Sequence, residues 1–270
     1  MNDIKDITKE LEQGVKALFD GERYKEYLSF MAKFHTYSAA NTVLIWIQKP
    51  DASLIAGYQT WAKKFGRNVR KGEKGIKIIA PCPHKFVKQE QDEDGNVTEK
   101  EIRYNSYKAV TVFDVSQTEG KEVPEICKTL SGDVEDFESL KNRLEEISPV
   151  PITIEEIETG ANGYFHPKEN RIVVKKGLPE QQTIKTMIHE ISHSILHCED
   201  GEEKDADRAT KEVTAESIAY TVCTALGIDA SDYSFGYLAG WSSGKELKEL
   251  QNSIDVIRKT ASEIIEKLTA

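Results

Sequence analysis

His189-Glu190-Ile191-Ser192-His193 sets two imidazoles four positions apart, with a carboxylate beside the first of them. On an α-helix four positions is about one turn, so both rings project from one face and can reach a single tetrahedral ion. Glu190 then stands where it can take a proton from a water held at that ion. The H-E-x-x-H spacing therefore predicts a helix that carries metal-dependent hydrolysis, with His189 and His193 as ligands and Glu190 as the general base. Two surface histidines on an amphipathic helix are the plain competitor.

The residues that follow add weight to the metal. A gluzincin takes a third ligand, a Glu, from a second helix about 20 residues downstream. This chain offers Glu212-Val-Thr-Ala-Glu216, whose first carboxylate lies 19 positions after His193. The segment from Thr210 to Leu226 has the apolar period of a buried helix, and the acidic stretch Glu199 to Asp207 makes the turn between the two. Glu212 is the expected ligand and Glu216 the residue that orients a ligand imidazole; the reverse assignment stays open. Zinc is the expected ion, one per chain, with another divalent metal as the alternative. His197 continues the series at i+8, about 12 Å along a straight helix from His189 at ~1.5 Å per residue, so it cannot share the ion with both others. The longer metzincin pattern is absent.

Upstream, Gly163-Tyr-Phe-His166 and Arg171-Ile-Val-Val-Lys-Lys176 alternate like strands around the turn-forming Pro167-Lys-Glu-Asn170. A hairpin before the metal helix fits a zincin, in which an edge strand can hold an extended peptide. His166, Tyr220, Tyr233 and Tyr237 are candidate oxyanion donors.

At 270 residues and 39% hydrophobic, the chain is long enough for one large domain or two ordinary ones. No apolar run approaches a membrane span, and the first ten residues lack the apolar stretch of a signal peptide, so a cytoplasmic protein without a membrane partner is expected. The four cysteines, Cys82, Cys127, Cys198 and Cys223, form no C-x-x-C pair, which argues against disulfides and a cysteine metal site.

The net charge of −10 is divided unevenly: residues 1–125 carry +1 and residues 126–270 carry −11. Within 61–80, seven basic residues face one acid. Lys63, Lys64, Arg67, Arg70, Lys71, Lys74 and Lys77, with Trp61 among them, suit a surface that tracks a nucleic-acid backbone and stacks bases. A solvated charged face is the ordinary alternative.

The expected class is α+β. Helices are predicted over 4–18 and 23–33, and Ser38 caps a third that stops before Pro50. Strands follow over Gly75–Pro81 and Tyr107–Val115, with Gln89–Glu101 as an exposed hairpin loop. Residues 119–133 read as a linker and Val134–Ile147 as a connecting helix. Ile152–Ile154 is the first strand of the metal domain, which is mostly helical with a small sheet. An amphipathic helix closes the chain over Lys245–Leu268, packed on the body or on a partner. The expected division is 1–125, 126–147, 148–242 and 243–270, with each half able to fold and act alone.

The blocks Phe34-His-x-Tyr-Ser-x-x-Asn41, Gln48-x-Pro-x-Ala52, Gly57-x-x-x-Trp61, Gly66-Arg-x-Val-x-Lys-Gly-Glu-Lys-Gly-Ile76 and Val112-Phe-Asp-Val-Ser-Gln-Thr118 together resemble the N-terminal domain of ArdC-type antirestriction proteins. The second half resembles the zincin domain found with it in ArdC and in LtrC-like proteins of conjugative elements. The resemblance implies a single-stranded-DNA-binding domain, with His35, Tyr37 and Asn41 among its binding residues, joined to a zinc metallopeptidase-like domain. It also implies carriage by a mobile element, action on incoming DNA in a bacterial host, and a host or element-encoded protein as the peptide substrate. Two alternatives stay open: a non-catalytic, metal-stabilised DNA-binding module, and a repressor-cleaving peptidase like the ImmA/IrrE group. The basic run at 61–80 disfavours the latter.

Overall fold

The computed structural model describes residues 4–19, 21–91, 97–122, 137–230, 232, 233, 235 and 238–270. It is a mixed helix-and-sheet structure, as expected, and it divides into two compact units. One comprises Met1–Gln13 with Leu44–Glu122, the other Gly14–Val43 with Val123–Ala270. The expected cut near residue 125 thus coincides with only one of the places where the chain passes between units. Residues 14–43 cluster with the metal-helix half instead.

The first unit is built on a long hairpin. β3 (Ile76–Gln91) and β4 (Val97–Asp114) pair antiparallel from Ile76↔Val112 out to Gln91↔Val97, and β1 (Ile55–Gly57) adds to β4. Both strands run further than the alternating apolar residues at their roots predict. Strand pairing between Gln89 and Glu99 replaces most of the expected loop, because ladder bonds extend a hairpin without an apolar face to bury. The short α4 (Tyr58–Lys64) ends at Gly66, whose φ of 62° is the left-handed conformation that closes a helix. β2 (Arg67–Val69) then pairs with β5 (Thr118–Gly120). At the foot of the hairpin the buried Asp114 carboxylate accepts from the amides of Ser53, Leu54 and Ser116, and Gln117 bonds the Asp114 amide and the Lys74 carbonyl. Gly75 lies so close to β4 that a Cβ there would sit 2.2 Å from a Thr111 methyl. Several residues of the motif blocks therefore serve the backbone of this unit.

In the second unit, β6 (Ile152–Glu155) pairs parallel with β8 (Arg171–Lys175), and β7 (Gly163–His166) pairs antiparallel on its other side. Ile172, Val173 and Val174 of the central strand are fully buried. Asn170, at φ 50°, turns the β7–β8 hairpin. α6 (Glu180–Leu196) lies on this sheet and against α7 (Arg208–Ala225). α7 also packs against α2 (Gly21–Lys33) and α9 (Leu247–Thr269). α5 (Phe137–Ile147) contacts α6 and α9, and α8 (Leu238–Ser242) contacts α7. The closing helix is thus part of the body, with Leu250, Ile254, Ile257, Ala261, Ile264 and Leu268 buried in it. The remaining helices are α1 (Ile4–Leu18) and α3 (Ala39–Gln48); the Ser38 hydroxyl accepts from the Asn41 amide at the start of α3. Most of the expected 119–133 linker lies outside the described residues. Among those described, no helix is long and apolar enough to cross a membrane.

Candidate metal centre

α6 is buried over most of its circumference, from Thr183 and Ile184 through Ile191 to Leu196, which holds its register against rotation. His189 and His193 share one face, with their Nε2 atoms 3.1 Å apart. Two nitrogens bound tetrahedrally at ~2.05 Å stand about 3.3 Å from each other, so the rings need almost no movement to share an ion. α7 brings the third group. Asp207 caps that helix by accepting from the Thr210 amide at 2.9 Å, and one turn on Glu212 reaches Oε2 to 3.7 Å from His189 Nε2 and 3.8 Å from His193 Nε2. One nitrogen or carboxylate oxygen from each of the three, a set that could hold a metal ion, lies within 4.8 Å of the others. Burial, then the neighbouring His193, lowers His189 to about 4, so its imidazole is neutral and free to donate a lone pair at physiological pH.

Glu190 is 7% exposed. Burial pushes its carboxyl up to about 7, against the opposing pull of His193 and of the Phe165 amide on β7. The close approach of β7 to α6 depends on Gly163: a Cβ there would sit 2.6 Å from the Thr186 methyl and 2.9 Å from the Val173 carbonyl.

A pair of side chains that the sequence reading did not assign stands beside His193. His193 Nδ1 lies 2.7 Å from His197 Nδ1, and His197 Nε2 lies 3.4 Å from Glu203 Oε2. Glu203 also accepts from the Thr214 hydroxyl at 2.7 Å. The His197 and Glu203 side chains are only 4% and 12% exposed. Glu216 lines a cavity on the side of α6 with Lys185 and Asp232. The i+8 position of His197 was a usable signal, but the role of Glu203 depends on how the 199–207 turn folds back. His197→Ala is expected to weaken metal affinity by ~10–100-fold, the usual effect of removing such a support, while Glu216→Ala leaves it within a few-fold; competition with a chelating dye measures both.

Of the four oxyanion candidates, Tyr233 shares a cavity wall with Glu190. Tyr220 is bound to the Ser29 hydroxyl at 2.7 Å and 5% exposed, His166 accepts from the Glu169 amide, and Tyr237 lies outside the described residues.

The residues expected at nucleic acid are not all available to it. Trp61 is a core residue: it is fully buried, and its indole N–H donates to the Phe113 carbonyl at 2.9 Å, so it cannot stack on a base. The Arg67 guanidinium binds the Thr118 hydroxyl and carbonyl and the Lys121 carbonyl, tying β2 to β5. Arg70 pairs with Glu73 and donates to the Ser116 carbonyl. Lys77 is half-buried and donates to the Thr111 hydroxyl. Lys63, Lys64, Lys71 and Lys74 are exposed. His35, Tyr37 and Asn41 belong to the other unit, where His35 contacts the Ser262 hydroxyl at 3.1 Å and Tyr37 packs on Phe34. Exposed aromatics stand instead on the β3–β4 ribbon: Phe86, Tyr104 and Tyr107 are 47%, 52% and 61% exposed, and His84 stacks on Tyr104 at 5.1 Å. Their place beyond the apolar root could have been read from the alternation, had the strands been extended.

Comparison with known proteins finds matches in both halves of the chain. The family described as "N-terminal domain of anti-restriction factor ArdC" matches residues 3–113, and the "Putative metallopeptidase family (DUF6782)" matches 107–229, the span that contains His189, Glu190, His193 and Glu212. By these two matches the chain is similar to ArdC-type antirestriction proteins in its first half and to a putative metallopeptidase family in its second. Crystal structures of the antirestriction ArdC protein from the R388 plasmid share the ArdC-type fold. The metal-free form has a TM-score of 0.52 at 22% identity over 86% of this chain and 84% of that one. The Mn(II)-bound form has 0.52 at 20% identity over 87% and 85%. An uncharacterized Bacillus anthracis protein is 30% identical over 97% of this chain, which spans about half (51%) of that protein's length.

Proposed function

We propose that this ArdC-like protein binds single-stranded DNA of a mobile element in the bacterial cytoplasm and hydrolyses a peptide bond in a host or element-encoded protein. The observation that carries the hydrolytic reading is the meeting of His189, His193 and Glu212 beside a buried carboxyl, Glu190, held near neutrality. Two imidazoles and one carboxylate suit zinc, and Mn(II) in the R388 relative makes a second divalent ion reasonable. Such an ion would supply a Lewis acid that polarises the peptide carbonyl and acidifies water. Glu190 takes the proton of the attacking water and returns it to the leaving amine, a task suited to a carboxyl that titrates near the working pH. His197 and Glu203 hold the His193 ring. The Phe165 amide holds Glu190. The test is antirestriction during conjugation by wild type and Glu190→Gln. Equal protection by both would leave the metal a stabilising role and make the protein a DNA-binding module.

The exposed lysines and ribbon aromatics support strand binding by the first unit. Replacing Lys63, Lys64, Lys71 and Lys74 with Ala is expected to flatten the log–log salt dependence of single-strand affinity by ~0.7 for each lysine that meets a phosphate. Tyr107→Ala is expected to cost about 1–3 kcal/mol at every salt concentration, the scale of one base–aromatic stack. Fluorescence anisotropy with single- and double-stranded competitors checks both; preference for duplex would overturn the reading.

A further inference from the structure

The β3–β4 ribbon has two unlike faces, because side chains alternate along each strand and paired residues share a side. On one, Ile76, Ile78 and Val112 are buried in the core at the root, and further out His84 stacks on Tyr104 while Phe86 meets the same ring edge-on. A ligand lying along that face meets the core at the root, and its rings already cover one another. On the other face, every residue from Lys77 to Val87 and from Glu101 to Phe113 is at least partly exposed. It starts at Phe113, on which Tyr58 of α4 packs edge-on with its own side chain 60% exposed. Tyr107 lies opposite Pro81 and is 61% exposed. Among the described residues neither of these two hydroxyls makes a hydrogen bond, and Tyr107 touches no other ring.

Cations alternate with these rings. Lys77 lies between Phe113 and Tyr107, bonded to the Thr111 hydroxyl, and an ammonium has three donors. Beyond Tyr107, Lys85 and Arg103 share the carboxylate of Glu101, so that end of the face keeps a net positive charge. Another β-strand is a poor occupant. Like Lys77, whose amide and carbonyl bond Gln48, Pro81 and Pro83 turn their backbone nitrogens to the outer edge of β3, and a proline nitrogen has no hydrogen to donate. From this order of rings and charges we infer that single-stranded DNA follows the open face: one base stacks on Tyr58 and another on Tyr107, with phosphates at Lys77 between them and at Lys85 and Arg103 beyond. Phe113 to Tyr107 spans about 20 Å of β4 at ~3.4 Å per residue. The track between the rings therefore holds on the order of four nucleotides, the low end of single-strand sites.

This placement rests on the strand-binding reading above, and the experiment separates the two. Full-length protein is titrated with a labelled oligothymidylate long enough to span both rings, over a series of salt concentrations. Tyr58→Ala and Tyr107→Ala, each checked for its fold by circular dichroism, are expected to weaken binding roughly 5- to 100-fold at every salt concentration, the scale of one base–aromatic stack. Tyr58→Trp, which keeps a stacking ring, should recover the affinity lost in Tyr58→Ala. Lys85→Ala should lower the log–log salt slope by ~0.7. Lys108→Ala, which removes an exposed cation next to Tyr107 in sequence but on the opposite face, should leave that slope unchanged. Tyr58→Ala protein that binds as tightly as wild type overturns the inference. Losses confined to Phe86→Ala and Tyr104→Ala do the same, since they put the DNA on the other face and leave strand binding standing. A wild type that binds no single strand sinks the strand-binding reading itself.

Discussion

Glu190→Gln is expected to lower peptide hydrolysis by roughly 10²- to 10⁴-fold, the contribution of a positioned acid–base group, with metal content unchanged because the side chain is outside the His189, His193 and Glu212 set. The same variant should be more stable than wild type when both are stripped of metal. Burial raises Glu190 from 4.5 to about 7. Between those values the folded chain holds a proton that the unfolded chain has released, so folding stability falls as pH rises through that window. The stability that comes from keeping the carboxyl neutral is complete below pH 4.5 and lost above 7, about 3 kcal/mol in all. Gln has no charge to bury and can still accept from the Phe165 amide. Urea unfolding in chelator should therefore give similar stabilities for the two proteins near pH 4 and a gap approaching ~3 kcal/mol at pH 8. Parallel curves at every pH would refute the buried carboxyl. A variant that still cuts peptide at the wild-type rate would refute the base.

A fragment of residues 126–270, although it contains every candidate metal ligand, is expected to be unfolded. α2 covers α7 in the intact protein: Tyr24, Tyr27, Leu28 and Met31 are each fully buried, and the Tyr24 and Ser29 hydroxyls bond those of Ser217 and Tyr220 at 2.8 and 2.7 Å. Losing the burial of four such side chains at about 1.5–3 kcal/mol apiece amounts to roughly 6–12 kcal/mol, comparable with the whole stability of an ordinary domain. Two hydroxyls on α7 would also lose their partners. Circular dichroism and denaturant titration decide the matter, and zinc binding by the fragment gives a second readout. Restoring Gly14–Val43 through a linker should recover cooperative unfolding. A 126–270 fragment that unfolds cooperatively with the stability of the intact chain would show that α2 is dispensable to the metal unit.

Local spacing was enough for much of this protein. The four-position step from His189 to His193 places both rings on one helical face whatever surrounds them, because 3.6 residues per turn is a property of the backbone. The β7–β8 hairpin around Asn170, the Ser38 cap and the amphipathic α9 follow in the same way from turn chemistry and apolar period. Glu212 meets the histidines because a turn and one helical repeat return it there. Charge and composition could not say which side chains reach solvent. Trp61, amid seven basic residues, is core, and Arg67 and Arg70 spend their donors on carbonyls of a strand some fifty residues later. His197 and Glu203 became the support of His193 only when the acidic turn folded back on α6, and α2 joined the metal unit through contacts made across nearly two hundred residues. Periodicity reports the geometry a segment imposes on itself. Burial and partner are settled by which distant segments meet, and only the folded chain brings them together.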